Sequence, residues 1–327
     1  MYRLSTLVKS CLFLILSTST LCIQSWFPSS ILDKHGRPNP ALCIILNELM
    51  ILHDNTLDTI VQATQAAWLR PAGKERWQIT DPYSMQTYQT IKPHLEELGL
   101  VHAIKPMHKQ YDYVLLLGAT VESISRRIAH LTTLCNAGID FKEVIILSGS
   151  RNLDETKETI EKLLNNQYLT FNNEEKIRQD WAKITTEIEM IQFIFSHARL
   201  PEKLANEIKI TFINAPKKQR TDGSWTRPTT NDTIQCWLEQ NPKKGTCLAI
   251  SDQPHVLYQQ SVLATLLPAV FPVETIGKEA PKETKLTVFL DALTRLLYQE
   301  QQRQTAIMSS HGKIDLSAHV TKNQSDE

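Results

Sequence analysis

The sequence predicts an α/β protein with a parallel sheet, and the prediction depends mainly on residues 111–151. There, an apolar run ends in Gly118-Ala-Thr120, a helical pattern follows, and a second apolar run ends in Ser148-Gly-Ser-Arg151. A buried strand, a crossover helix and a second buried strand are typical of a parallel βαβ unit. Further strands are predicted at 208–213, 247–250 and 273–276.

The crossover helix between the first two strands has one apolar face, followed by Gly138 as its stop signal. That face comprises Ile124, Ile128, Leu131 and Cys135. Other helices are predicted at 40–69 with a break at Asp54-Asn55, at 80–99, at 152–164, at 174–195, from Thr229, at 256–267 and at 285–304. Residues 217–227 read as an exposed basic loop.

The N-terminus has the layout of a secretory signal. Arg3 and Lys9 precede a short apolar segment and a run of small residues, and no acidic residue occurs before Asp33. We therefore expect an exported protein that is periplasmic, secreted or associated with a membrane through its N-terminus; the alternative is a frayed apolar terminus. The chain divides into a signal peptide or anchor (1–25), a helical section (26–110), an α/β domain (111–308) and a disordered tail (309–327).

Composition narrows the classes of partner. Lys+Arg and Asp+Glu both number 35, so no overall basic field favours nucleic acid. The hydrophobic fraction of 42% is that of a globular protein with a core. The six cysteines form no metal-ligand spacing, so a zinc site is not indicated, and an exported chain leaves a disulfide open.

The loops that follow the strands predict where a ligand would bind. In open parallel sheets, ligands bind beyond the carboxyl ends of the strands, where loops 118–120, 148–151 and 251–255 should converge. Gly118 and Gly149 would allow close backbone approach, and an anion would find hydroxyl donors and cations nearby. These are Thr120, Ser148, Ser150, Arg151 and Arg126 or Arg127. The alternative is that these residues form ordinary tight turns.

Two familiar catalytic patterns are absent, and one pair of residues could transfer protons. Gly118-Ala-Thr120 is not a dinucleotide fingerprint, and Ser148-Gly-Ser150 is not a nucleophile elbow. Asp252 and His255 lie three residues apart and could share acid–base work. The alternative assigns Asp252 as a helix cap and His255 as a surface residue of the first turn.

The order of the motifs resembles the bacterial SanA/YdcF/ElyC-like family. Over residues 111–277 it runs VLLLGAT, a helix with Arg126-Arg127, VIILSGSR, TEIEM, RPTTNDT and LAISDQPH. The family has a strand ending in Gly, an arginine on the next helix, a strand ending in Ser-Gly-Gly and a strand ending near Asp/Asn-x-x-His. This chain departs from that pattern with Ser150 at the second Gly and Asp232 near a usual Asn.

The resemblance implies a Rossmann-like domain, with some relatives anchored in the envelope and one reported to bind S-adenosylmethionine. The site residues that it implies are Gly118, Arg126 or Arg127, Ser148, Gly149, Glu187, Thr230, Asp232, Ser251, Asp252 and His255. We expect a protein that binds a small anionic or nucleotide-like ligand, with envelope-related enzymatic activity left open; its cofactor, substrate and protein partner are not identified. The alternatives are a non-catalytic interaction protein and an S-adenosylmethionine-binding protein.

Overall fold

The computed structural model describes residues 31–33, 35–71, 74 and 78–322, with side chains described as far as residue 307. The predicted leader, residues 1–25, lies outside the described residues. Within the described part, no helix combines the length and the hydropathy needed to cross a membrane.

A five-stranded, fully parallel sheet forms the centre of the molecule, in the order β3-β2-β1-β6-β7. All five predicted strands are confirmed: β1 Gln110–Leu117, β2 Asp140–Gly149, β3 Lys209–Ala215, β6 Cys247–Asp252 and β7 Val273–Lys278. The strands are nearly continuous apolar runs because helices cover both faces of the sheet. The fold is therefore α/β and Rossmann-like.

Helices cover both faces of the sheet, and the order of the strands reverses at β1. On one face lie α4 (Val121–Asn136) and α7 (Glu187–His197); on the other lie α8 (Thr230–Leu238) and α9 (Val256–Leu266). Connections from β1 lead towards β2 and β3, whereas β6 and β7 lie on the other side of β1. The topological switch point is therefore between β1 and β6, where such folds bind ligands.

The helical N-terminal section packs mainly on the C-terminal helix, and its residues 99–104 also contact Gln253, which follows β6, and Gly277 near the end of β7. Helices α1 (Pro40–Glu48), α2 (Leu57–Trp68) and α3 (Met85–Glu97) share a core with α10 (Leu286–Lys322). This core also receives Leu257 and Tyr258 of α9. The section is thus an added packing layer. Helix α10 continues past residue 309, where the sequence predicts the tail to begin; residues 323–327 lie outside the described residues.

The predicted crossover helix is confirmed as α4. Of the four residues on its apolar face, the first three are fully buried and Cys135 lies at the edge of the core. Gly138 follows the end of the helix with a φ of +77°. That left-handed conformation favours glycine.

Four details differ from the sequence prediction. The segment 174–195 is two helices, α6 (Glu174–Trp181) and α7, because Thr186 and Glu189 form a capping box that starts a new helix. Only Ile160–Leu164 (α5) is helical within 152–164. The helix predicted from residue 80 begins at Met85, capped by Ser84. The basic loop contains a short hairpin, β4 (Lys218–Gln219) with β5 (Trp225–Thr226).

Candidate functional site

The carboxyl edge of the sheet carries two clusters of charged side chains. One follows β2 and comprises Ser148, Arg151, Glu158 and Glu187; we call it the Arg151 cluster. The other joins the ends of β6 and β7 to α4 and comprises Arg126, Arg127, Asp252 and Lys278; we call it the Asp252 cluster. The two clusters meet at Gly118, which follows β1.

The Arg151 cluster is a closed network of short hydrogen bonds. Arg151 Nη1 and Nη2 each donate to Glu158 at 2.6 Å, and Nε donates to Glu187 Oε2 at 2.6 Å. Ser148 Oγ donates to Glu187 Oε1 at 2.9 Å, and the Asp154 N–H donates to Glu158 at 2.7 Å. Burial would lower the pKa of Arg151, but the two carboxylates raise it above its ordinary value. The arginine is therefore held as a structural cation.

Gly118 is required where the Arg151 cluster reaches β1. A Cβ at this position would lie 2.2 Å from Glu187 Oε1 and 3.0 Å from the Leu147 carbonyl oxygen. Contacts this short do not occur, so any side chain would displace the Glu187 carboxylate. The Gly118 carbonyl also accepts from Arg127 Nη1 at 3.2 Å, which connects it to the second cluster.

In the Asp252 cluster, two arginines bind one buried carboxylate. Arg126 Nε donates to Asp252 Oδ1 at 2.8 Å, and Arg127 Nε donates to Oδ2 at 2.7 Å. Arg127 Nη1 also donates to the Leu117 carbonyl at 2.7 Å, so it fastens the ends of β1 and β6 at the switch point. Burial alone would raise the pKa of Asp252, but Arg127 and Arg126 hold it below its ordinary value.

Lys278 is a third cation in this cluster. It is the last residue of β7 and the register partner of Asp252 on β6. Side chains of paired residues project from the same face of a sheet, so Lys278 shares the α4 face with Asp252. Burial lowers the pKa of Lys278, and although Asp252 raises it and Arg126 lowers it, the net pKa is below its ordinary value.

His130 lies one turn beyond Arg126 on α4 and completes the surroundings of Lys278. Burial, together with the charge of Lys278, lowers its pKa from 6.5 to about 4, with Asp252 opposing the shift. Its imidazole is therefore neutral at pH 7. Its Nδ1 atom is buried and has no hydrogen-bond partner among the described residues.

The first turn of α4 points at the same edge. Thr120 occupies the N-cap position with extended backbone, but its side chain makes no capping hydrogen bond. The positive end of this 16-residue helix therefore carries no side-chain cap where β1 ends.

The other predicted site residues have local roles in the structure. A Cβ on Gly149 would lie 2.7 Å from Pro228, and Ser150 Oγ donates to Asn214 Oδ1 at 2.9 Å. Asp232 caps α8 through Thr229 and pairs with Lys218. Thr230 lines a groove of about 250 Å³ between α8, α9 and α10.

Ser251 and His255 are both buried beside the switch point. Ser251 is 1% exposed, and its hydroxyl has no hydrogen-bond partner within the described part of the chain. His255 is 8% exposed at the N-cap position of α9, so the alternative that placed it on the surface is wrong. The helix-cap alternative for Asp252 is also wrong, because Asp252 ends β6 and bonds to the two arginines.

The sequence did not predict two residues of the clusters, Glu158 and Lys278, and predicted a third, Arg127, only as an alternative. Glu158 follows no apolar pattern, and nothing in its sequence neighbours signals that it is buried. Arg127 appeared only as the alternative to Arg126, whereas both bind Asp252. Lys278 lies two residues beyond the predicted fifth strand, and extending that strand would have paired it with Asp252.

Neither metal coordination nor a known relative identifies the site. Among the residues that the structure describes, no three His, Cys, Asp or Glu side chains are grouped as metal ligands, and the four described cysteines are free. Comparisons with protein families, with curated proteins and with solved structures give no match. The site must therefore be interpreted from its own chemistry.

Proposed function

We propose that this protein binds a small anionic or nucleotide-like ligand at the carboxyl edge of the sheet, at the switch point between β1 and β6. The observation that carries the proposal is the charge of the Asp252 cluster, in which three cations surround one carboxylate and leave a net charge of +2. Unmatched positive charge at a partly buried site is costly unless an anion neutralises it. The uncapped start of α4 adds to the same field.

The geometry supports binding better than proton transfer by Asp252. Both carboxylate oxygens accept from arginines, and the low pKa of Asp252 makes it a weak base at neutral pH. In an enzymatic version of the proposal, His255 would carry the proton. His255→Ala should then abolish turnover while leaving the fold intact; unchanged turnover would exclude His255 as the acid–base residue.

The first test is a thermal shift of the full chain against nucleotides, S-adenosylmethionine, sugar phosphates and cell-wall precursors. A ligand that binds only the folded protein raises its melting temperature by mass action. We expect a hit among the anionic compounds. If none of them shifts a folded protein, the proposal fails.

The variant Thr120→Val tests where on the protein the identified ligand binds. The Thr120 hydroxyl makes no capping bond, so its removal should not alter stability, but it should weaken a ligand held at the start of α4. Thr132→Val is the matched control, because Thr132 is on the same helix, has an unbonded hydroxyl and lies three turns from the strand ends. Equal ligand shifts in both variants would place the ligand elsewhere.

A second candidate, a non-catalytic interaction protein, is favoured by the β4–β5 hairpin. Trp225 is 62% exposed on this hairpin, among the basic side chains of residues 217–227. Exposed tryptophan beside cations is common in binding surfaces. Trp225→Ser should then remove partner binding without altering any ligand shift. In both candidates we propose that the protein is exported. Cell fractionation tests this proposal, and an exported protein would be distinguished by it from a cytosolic S-adenosylmethionine-binding protein.

A further inference from the structure

The Asp252 cluster is not uniform, because its cations differ in how fully they are used. Arg127 is buried, with donors engaged by Asp252, Leu117 and Gly118. Arg126 donates to Asp252 through Nε and forms a side-chain hydrogen bond with Tyr168, which leaves only part of its terminal N–H donors for another acceptor. The Lys278 ammonium forms no ion pair within 4.0 Å in the described part of the chain.

Arg126 and Lys278 lie near each other on the α4 face of the sheet, close enough for their charges to interact. Lys278 shares the sheet face of Asp252, on which α4 packs. The Tyr168 hydroxyl lies beside the Arg126 guanidinium and forms a side-chain hydrogen bond with it. Arg126 is 11% exposed at its side chain, so its outer donors can reach a ligand from solvent. Asp252 fixes the guanidinium in place, as preorganised anion sites require.

We infer that Arg126 and Lys278 form a subsite for a phosphoryl group, with Tyr168 and His130 at its border. This rests on the proposed function and names the chemistry of the ligand. A carboxylate carries one negative charge, whereas a phosphate monoester carries about −1.5 to −2 at pH 7. The latter matches the net charge of +2, and an arginine fork with a lysine point charge is a common phosphate arrangement.

The burial of Lys278 also leads to an expectation about the stability of the empty protein. A half-buried ammonium beside Arg126, with a lowered pKa, disfavours folding relative to an apolar side chain of similar length. A residue that destabilises the empty fold is typical of a binding site, where the ligand repays the cost. Lys278→Met should therefore fold with an equal or higher melting temperature in phosphate-free buffer.

The test measures the binding of inorganic phosphate and of adenosine monophosphate to the full chain at constant ionic strength, with acetate and adenosine as controls. We expect both phosphoryl probes to bind the wild type, and Lys278→Met to bind them at least about tenfold more weakly, the effect of one charge-assisted contact. Lys282→Met removes an exposed lysine four residues away, and it should change the dissociation constant by less than about twofold.

Each other outcome overturns the subsite, and some leave the proposed function intact. Equal phosphate binding by the wild type and both variants would remove Lys278 from the site, although an anion would still bind. Acetate binding as tightly as phosphate would exclude phosphoryl selectivity. Absence of binding by phosphate and adenosine monophosphate would exclude the subsite; only a failure of every anion in the wider panel would exclude the proposed function as well.

Discussion

The two charged clusters at the carboxyl edge are both built on pairs of arginine and carboxylate, and they differ in net charge and in how many of their donors have protein acceptors. In the Arg151 cluster one cation bonds two carboxylates, and every nitrogen of the guanidinium donates to a protein acceptor. In the Asp252 cluster two arginines share one carboxylate, Lys278 adds a third cation nearby, and donors remain. The difference indicates that the Arg151 cluster holds loops together, whereas the Asp252 cluster can accept a ligand.

The largest expected effect tests the structural role of the Arg151 cluster. Arg151→Ala leaves Glu158 and Glu187 buried without a cation, which should cost about 4 kcal/mol in the free energy of unfolding. Chemical denaturation measures it. Arg178→Ala breaks an exposed pair with Glu161 and should cost less than about 1 kcal/mol. Similar costs for the two variants would contradict a structural role for Arg151.

Asp252→Asn should cost somewhat less, about 3 kcal/mol, because Arg126 keeps contact with solvent. The pKa of Asp252 is lowered in the folded protein, so its contribution is present above its unfolded pKa and is lost as pH falls through the folded value. Acid titration of stability below about pH 4 should therefore be shallower in the variant. Superimposable curves would show that Asp252 is not held ionised.

His130 makes a pH dependence of the same sign, at higher pH than that of Asp252. Its folded pKa of about 4 lies below the unfolded value, so the unfolded chain takes up a proton first as the solution is acidified. Wild-type stability should fall by about 2 kcal/mol between pH 6.5 and pH 4 through this group. His130→Gln should lack that part of the decrease, whereas His35→Gln, at an exposed position, should retain it. An unchanged slope in His130→Gln would contradict the burial of the imidazole.

The smallest expected change in the free energy of unfolding concerns Gly118, where the two clusters meet. Gly118→Ala forces the Glu187 carboxylate to move and should cost about 1–2 kcal/mol. Part of that cost should vanish when Glu187 is already alanine, giving a coupling energy near 1 kcal/mol in a double-mutant cycle. Gly149→Ala clashes with Pro228 instead, so it should show no coupling to Glu187→Ala. A coupling energy of zero between Gly118 and Glu187 would contradict a contact between the two clusters at Gly118.

The sequence predicted the sheet more completely than the site. Apolar runs reveal parallel strands because both faces of the sheet are covered, and the loops that follow them locate the edge. Pairing between charges depends on distant parts of the chain and leaves no local pattern. Glu158 is buried only because a loop folds back over Arg151, and Arg126 and Arg127 both face Asp252 although adjacent helical residues usually diverge.

The break between α6 and α7 shows the same limitation. The apolar period continues from Trp181 to Ile194, so periodicity alone predicts one helix. The capping box at Thr186 overrides it, and this places Glu187 in the first turn of α7, next to Ser148. Local capping chemistry thus determines a site residue that hydrophobic patterning cannot.

The shared core of the first and last helices has a consequence for synthesis on the ribosome. The Arg70 N–H donates to Asp291, 221 residues later, and the Leu286 N–H donates to Asp81, 205 residues earlier. Because the chain emerges from its N-terminus, α1 to α3 must expose their apolar faces until α10 has been translated. This layer can therefore form only after translation is nearly complete, and premature termination before residue 286 would leave the nascent N-terminal helices as an aggregation-prone surface.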